Sequence, residues 1–363
     1  DAPKPTIGLG MGEFGLMSRV LAPKFSNGLG GFLTFASLRD SAATAPGQPT
    51  ISDLLGMYRI RSITKDTRVY GVIGWPVTQS MSPLIHNAGF EARAWDGVYL
   101  PMPVPDSDEA FKATMLSLID DDKLDFAGAS VTIPHKQRVR ELPSLAPDAL
   151  FWSDETSVLT GAANTVVLGN MEDGDPLELR AHNTDAEAVL SCLTEPREAI
   201  SGCRYCVYGA GGVARSTVLP LLNRGAVVEL RYRTPEPAER LKAEASALQG
   251  SLELIAMADP AGLSADAYIN CTPVGMTGGP DPEGLSIPVH DLAGTLPPET
   301  VFFDTVYNPI ETPMLKAARE HGFRTIDGVE MFVRQAAAQF ELWTGEQAPM
   351  QLFDRLVRER LGG

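Results

Sequence analysis

Apolar positions along this chain recur at two periods, and the switching between them predicts its elements. Phe126-Ala127-Gly128-Ala129 is a short apolar run ending in small residues; Pro134 stops the strand by removing a ladder donor. Arg204-Tyr205-Cys206-Val207-Tyr208 and Ala226-Val227-Val228-Glu229-Leu230 read as strands around an apolar helix at residues 218–222, a βαβ unit. Strand and helix alternate from about 66 to 183 and again from 184 to 324, which predicts two α/β domains. Toward the end, Val329, Phe332, Val333, Ala336, Ala337, Phe340 and Trp343 recur at helical spacing and give the run 330–361 a buried face. The first sixty residues carry a separate β-α-β-α pattern. Its strands are expected at 5–11 and 31–36 and its helices at 15–21 and 50–58, with Thr50 or Ser52 near the second cap.

Chemistry collects at the strand ends. Ser130-Val131-Thr132-Ile133-Pro134-His135-Lys136 puts Lys136 on a turn at a carboxyl end, where open α/β sheets place their sites. Asn183-Thr184-Asp185 closes another apolar-alternating run. A Lys and an Asp so placed can share a proton with a substrate hydroxyl; a surface lysine and a helix-capping aspartate are the ordinary alternative. The strand 204–208 runs into Gly209-Ala210-Gly211-Gly212-Val213-Ala214, the turn that a dinucleotide pyrophosphate needs. Gly209 permits the tight bend, Gly211 lets the backbone approach the phosphates, and Ala214 allows close helix–strand packing. Where NAD sites usually hold an acid, this chain has Arg231-Tyr232-Arg233-Thr234. Arginine can grip a 2′-phosphate with forked donors, so NADP is favoured.

Composition narrows the field. A net charge of −16 argues against nucleic-acid or anionic-membrane partners, and no run of about 18 apolar residues can span a bilayer. No secretory signal is visible, and a cytoplasmic location is expected unless a targeting segment lies upstream. The four cysteines form no disulfide framework; Cys203 and Cys206 imitate a redox pair but fall on or before a strand, where an offset of three sends them to opposite faces. The five histidines have no ligand spacing, so no metal is expected. Asp120-Asp121-Asp122 reads as a solvated loop.

Further motifs follow one another in a familiar order. They are Gly74-Trp75-Pro76-Val77-Thr78-Gln79-Ser80-Met81-Ser82-Pro83, the 132–136 run, Ala163-Asn164-Thr165, Asn183-Thr184-Asp185, the glycine turn and Tyr232-Arg233-Thr234. Asn270-Cys271-Thr272-Pro273-Val274-Gly275-Met276, Asp304-Thr305-Val306-Tyr307 and Gly328-Val329-Glu330-Met331-Phe332-Val333-Arg334-Gln335 complete the series. With these, residues 68–363 resemble the shikimate dehydrogenases. The resemblance implies an α/β fold of two domains: a substrate domain, 66–183 with 325–363, and a Rossmann NADP domain, 184–324, with a cleft between them for substrate and nicotinamide. It implies that Lys136 and Asp185 are the catalytic pair, with Lys136 the preferred proton donor and the reverse assignment as the alternative. Ser80, Ser82, Thr132, Asn164, Tyr307 and Gln335 would hold the substrate. Gly209, Ala210, Gly211, Gly212, Val213, Ala214, Arg231, Arg233 and Thr234 would hold the dinucleotide, and Thr272, Gly275, Met276, Thr305 and Gly328 would line its nicotinamide side. The implied reaction is reversible, NADPH-dependent reduction of 3-dehydroshikimate to shikimate in aromatic amino acid biosynthesis, by a monomer or dimer. Three positions depart from the family. Ser130 stands where some members have asparagine, Tyr232 replaces the usual asparagine, and Pro237 falls where many place a second arginine. A quinate/shikimate dehydrogenase using NAD and a non-catalytic shikimate-binding module are the competing expectations.

Residues 1–63 resemble the last two units of a type I 3-dehydroquinate dehydratase, a (β/α)8 barrel, through Met11-Gly12-x-x-Gly15-x-x-Ser18-Arg19 and Thr44-Ala45-Pro46-Gly47-Gln48. The resemblance makes Arg19, Thr44 and Gln48 barrel-mouth positions. The strands that carry that family's Schiff-base lysine and histidine are not in this stretch, so no dehydratase activity is expected of these 363 residues. The expected context is the tail of a fused dehydratase–dehydrogenase; a degenerate extension that merely packs on the dehydrogenase is the alternative.

Overall fold

The computed structural model describes residues 8–26, 33–38, 47–146, 148–169, 177–195, 199–257 and 264–362. The chain divides into two compact units, Asp1–Asn183 with Ala336–Phe353 and Thr184–Gln335 with Asp354–Gly363.

The first unit begins with two short helices, α1 (Leu16–Val20) and α2 (Ile51–Leu55). Thr50 caps α2 through a reciprocal capping box with Asp53. Helix formation at both places agrees with the sequence pattern. The two strands expected before them do not form over their described parts: residues 8–11 and 33–36 are irregular, and the rest of those runs lies outside the described residues. A strand persists only when its backbone groups find a neighbour. Here the one bridge between described residues of this region joins Ser37 to Thr50.

A six-stranded mixed sheet follows: β1 (Arg68–Gly74), β2 (Gly97–Pro103), β3 (Phe126–Val131), β4 (Leu150–Ser153), β5 (Thr165–Gly169) and β6 (Glu178–His182), in the order β2-β1-β3-β5-β6-β4. The strands β2, β1 and β3 are parallel, β5 is antiparallel to β3 and β6, and β4 is parallel to β6. Their connections carry α3 (Ser82–Ala92), α4 (Asp108–Asp120), α5 (Leu142–Leu145) and α6 (Glu155–Thr160). The carboxyl ends of β1, β3 and β6 and the amino end of β5 therefore share one edge. One core joins Val20, Leu21, Leu54, Tyr58, Ile60 and Ile63 to Val69, Ile73, Leu100 and Phe126, so these described residues of the first sixty-three pack as part of this unit. The buried Lys24 reinforces that join by donating to the carbonyls of Lys65 (2.6 Å) and Thr67 (2.9 Å) and to Asp125 (2.5 Å). A lysine whose ammonium is out of water needs such a full set of acceptors.

The second unit has α7 (Thr184–Thr194), β7 (Arg204–Tyr208), α8 (Gly212–Asn223), β8 (Val227–Tyr232), α9 (Pro235–Ala245), β9 (Ser251–Ala256) and β10 (Ala267–Asn270). It continues with α10 (Val289–Leu292), β11 (Val301–Asp304), α11 (Pro313–Glu320) and β12 (Arg324–Ile326). Its strands run β12-β11-β10-β7-β8-β9, with every pair parallel. Counted from β7, that is the doubly wound order whose direction reverses between β7 and β10, the switch point where such sheets bind ligands. The terminal helical run is two helices, α12 (Gly328–Thr344) and α13 (Met350–Gly362). Gly345, at φ +70°, ends the first in a conformation that glycine adopts without strain.

Candidate active site

In the first unit, the residues singled out by sequence gather at the shared sheet edge. Gly74 ends β1 so close to β3 that a Cβ there would lie 2.3 Å from Thr132 Cγ2, and Thr132 donates its N–H to Ile73 O at 2.8 Å. The loop after β1 carries Ser80, whose Oγ accepts from the N–H of Ser82 at 3.2 Å, so the two serines are tied at the start of α3. Asn164 precedes β5 and is buried; its carbonyl accepts from Val131 N–H at 2.7 Å and its N–H donates to His182 O at 3.0 Å. Lys136 lies on the turn after β3, its carbonyl accepting from Ala163 N–H at 3.0 Å. Its neighbour His135 is buried, stacked on Phe111, and held from both sides. Arg138, which can only donate, faces Nδ1 at 2.9 Å, so Nε2 carries the proton and donates to Val104 O at 2.8 Å. Burial lowers the His135 pKa, and the ring shapes the turn that presents Lys136.

Asp185 lies in the first turn of α7, in the second unit, where the positive end of the helix dipole favours a carboxylate. It follows Asn183 by two residues in the sequence. Asn183 itself is fixed at the end of β6 by Asp154, Thr160 and Ala162.

The second unit places the glycine turn at its switch point. Gly209 has φ +107°, and a Cβ there would meet Cys271 O at 2.9 Å and Thr272 Cγ2 at 3.0 Å, so only glycine fits between the ends of β7 and β10. Gly211 and Gly212 have open space where a side chain would be, and no side chain caps α8. The first turn of α8, which includes Val213, carries no acid, and Ala214 is buried against the sheet. Gly209-Ala210-Gly211-Gly212 thus forms a bare cradle at a helix amino terminus, which fits a pyrophosphate.

The two arginines after the turn separate. Arg231 is inside β8, 7% exposed, and its Nε donates at 2.6 Å to Glu229, itself 3% exposed. Residues two apart on a strand share a face, and here the face is buried. Arg233 and Thr234 are exposed at the strand end, and Thr234 stands at the N-cap of α9 without spending its side chain on the cap. The guanidinium turned to solvent is that of Arg233.

Around β10 and β11 a second polar cluster forms, which sequence reasoning missed. Asn270 Oδ1 accepts from the N–H and hydroxyl of Thr272, and Asn270 Nδ2 donates to Asp304 at 2.9 Å. Asp304 also accepts from Val306 N–H (3.0 Å) and Thr312 Oγ1 (2.7 Å). Burial pushes its pKa up to about 6 despite those donors. Thr305 is tied to the Asn270 carbonyl at 2.9 Å. Gly275, at φ +85°, turns the loop, and Met276 lies exposed beside it. Gly328 approaches Val306 and Tyr307 so closely that a Cβ would lie 2.3 Å from the Val306 oxygen. Tyr307 stacks on Phe332, and Gln335 donates to Phe332 O at 3.0 Å, so both belong with the second unit's loops. Cys203 and Cys206 are free; burial raises Cys206 to about 12, where no thiolate forms at neutral pH.

Residues 72–166 match the model of the shikimate dehydrogenase substrate binding domain and residues 328–358 that of the shikimate 5′-dehydrogenase C-terminal domain. A shikimate dehydrogenase (NADP(+)) from Methanocella arvoryzae is 35% identical, over 81% of this chain and 99% of the relative. The chain belongs to the shikimate dehydrogenase family. Residues 1–65 match type I 3-dehydroquinase. Both likenesses meet in a chloroplastic bifunctional 3-dehydroquinate dehydratase/shikimate dehydrogenase from Arabidopsis thaliana, 37% identical over 98% of this chain; the chain spans 56% of that relative's length. The shikimate 5-dehydrogenase from Listeria monocytogenes, solved with shikimate and NAD, superposes with a TM-score of 0.70 at 28% identity, covering 81% of this chain and 98% of that one.

In the dehydroquinase-like stretch, Arg19 is buried and donates to Gly10 O at 3.0 Å. Gln48 is half-buried, and Thr44 lies outside the described residues.

Proposed function

We propose that this chain catalyses the reversible NADPH-dependent reduction of 3-dehydroshikimate to shikimate, a step that feeds aromatic amino acid biosynthesis. The observation that carries the reading is the sheet edge of the first unit, where Lys136 stands with Ser80, Ser82, Thr132 and Asn164, in a chain of this family. NADPH, when bound, supplies the hydride that the carbonyl carbon takes up. Lys136 gives the proton that the oxygen needs, and Asp185 holds lysine and hydroxyl in place. Ser80 and Ser82 donate to the substrate carboxylate, and Thr132, Asn164, Tyr307 and Gln335 complete the polar shell. The glycine turn cradles the pyrophosphate, and Thr272, Gly275, Met276, Thr305 and Gly328 line the nicotinamide side. Arg233 and Thr234 grip the 2′-phosphate. On this reading the working domains are 66–183 with 325–363 for substrate and 184–324 for NADP. The enzyme acts in the cytoplasm or an organelle.

Some use of NAD is a second reading, and one observation favours it: Arg231 is occupied by Glu229, which leaves the 2′-phosphate one exposed arginine. For residues 1–63 we propose no dehydratase turnover by these 363 residues, because a closed barrel takes roughly 200 residues. Conversion of dehydroquinate by the pure chain would overturn that. Initial rates of NADP and NAD reduction with shikimate and with quinate test the main reading. Fast shikimate–NADP turnover is expected; preference for quinate or NAD would move the specificity, and binding without turnover would leave a binding module.

A further inference from the structure

The turn that presents Lys136 is braced by a segment that no motif marks. Residues 104–111 run from the end of β2 into the first turn of α4. From this segment Phe111 stacks on His135, with ring centroids 5.2 Å apart, and the Val104 carbonyl lies 2.8 Å from His135 Nε2. Arg138 begins the short 3-10 helix Arg138–Glu141. Its Nη2 donates to Asp106 at 2.9 Å and its Nε to Asp108 at 2.6 Å. Its Nη1 reaches His135 Nδ1 at 2.9 Å.

These contacts flank the lysine. His135 precedes it and Arg138 follows it by two residues; the turn is closed by Arg138 N–H on His135 O and His135 N–H on Thr132 O, both 2.9 Å. The imidazole is buried. Arg138 only donates and the Val104 carbonyl only accepts, so one neutral tautomer satisfies both, with its proton on Nε2. A second proton would have to enter at Nδ1, where it would set N–H against N–H and bring a cation against a cation. Asp106 and Asp108 pull the other way, but each is already bound to Arg138; burial and the guanidinium hold the His135 pKa below its ordinary value. Ion pairs with carboxylates as exposed as these add little stability. Their effect is to aim the guanidinium: with Nε and Nη2 engaged, the planar fork points Nη1 at the imidazole.

We propose that His135 and Arg138 are positioning residues that hold the Lys136 turn to segment 104–111, and that the hold needs a neutral imidazole, so that acid releases the turn and slows proton transfer. The inference rests on the shikimate dehydrogenase reading and adds to it a pair that acts through Lys136. A reacting group misplaced by about 1 Å can lose about 10²-fold in rate, so a small shift of this turn is read in kcat.

The test is the pH profile of kcat for shikimate oxidation by NADP in the whole chain, with circular dichroism of each variant. Wild type should lose kcat toward acid. Arg138→Met takes away the opposing charge and leaves both aspartates beside the ring, so that acid limb should move to higher pH. His135→Gln keeps an N–H for the Val104 carbonyl and an oxygen for Arg138 but cannot titrate; kcat should stay near the wild-type plateau, and adding Arg138→Met to it should no longer move the limb. A shift that persists in the His135→Gln background belongs to Lys136 itself and overturns the proposal. His135→Leu keeps bulk and loses both bonds; kcat should fall about 10–10²-fold with KM for shikimate and NADP little changed. Lys112→Met is the control: it removes a different ion pair between α4 and the 138–141 helix, Lys112 to Glu141 at 3.0 Å, and should leave the profile as in wild type. An acid limb that stays put in Arg138→Met, an equal shift in Lys112→Met, or a rise in KM in place of the kcat loss in His135→Leu overturns the proposal while the functional reading stands. Should His135→Leu not fold, the Arg138→Met and His135→Gln profiles decide alone. A wild-type chain that turns over no shikimate overturns the functional reading and this proposal with it.

Discussion

In the first unit the groups proposed to meet a substrate are side chains, Ser80, Ser82, Thr132, Lys136 and Asn164, several of them held by buried neighbours. In the second, the groups proposed to meet the cofactor phosphates are backbone N–H donors at Gly209–Gly212, where three of the four residues are glycine and the fourth is alanine. A small polyol is told from its relatives by which hydroxyls it carries, so its site needs oriented donors and acceptors. A pyrophosphate is a uniform anion, so close approach and a helix amino terminus suffice. The first arrangement is therefore sensitive to amide and hydroxyl orientation, and the second to added volume.

Four experiments break or sharpen that contrast. The largest effect belongs to Lys136→Ala, which should cut turnover by roughly 10²–10⁴-fold or more without altering the thermal midpoint; an active variant would remove lysine from the chemistry. Next come the two arginines. Arg231→Ala removes the cation that pairs with the buried Glu229 carboxylate, and urea denaturation should record a loss of about 3–5 kcal/mol. Arg233→Ala should leave stability within about 0.5 kcal/mol and raise KM for NADP but not for NAD. Exchanged outcomes would reverse the assignment of the two guanidiniums.

The glycines divide the same way with a smaller effect. Gly209→Ala pushes a methyl against the Cys271 carbonyl at a φ of +107° and should cost roughly 1–3 kcal/mol of stability. Gly211→Ala adds its methyl to open space, so the fold should stand while NADP binding, followed by calorimetry, weakens. Weakened stability in both would mean that the turn is packed and not open. The smallest effect is a pH dependence at Asp304. Burial raises its pKa from 3.8 to about 6, so the folded state holds the proton more tightly than the unfolded chain does. Stability from this group is present at low pH and is lost as pH rises from about 4 to 6. The thermal midpoint of Asp304→Asn relative to wild type should accordingly move in the variant's favour between pH 4 and pH 7; a gap independent of pH would count against a costly buried charge.

The glycine turn, the strand ends bearing Lys136 and Asn183, and the paired serines could all be read along the chain, because each depends on neighbours a few residues away. The buried Glu229–Arg231 pair was half legible: a spacing of two on a strand put both side chains on one face, and only burial made that face an interior one. The strands expected at 5–11 and 31–36 could not be judged from their own residues, since a strand is made by its partner. The buried hydrogen bond from Ser130 to Gln339 had no local signal at all, as the two residues lie 209 residues apart. Likewise Asp304 read as one acid in a motif until Asn270, Val306 and Thr312 closed around it.

The sequence by itself determined the βαβ units, the bare turn between β7 and α8, the residue types at each sheet edge and the family they belong to. Short-range geometry decides those: glycine alone permits the turn, proline ends the strand, and apolar period selects the element. The tertiary structure decided which arginine stays in solvent, which acid is buried, and which distant segments meet, as Ser130 and Gln339 do. Those depend on water being excluded and on partners arriving from distant segments, because a buried polar group must find its donor or acceptor inside the protein wherever the fold brings one.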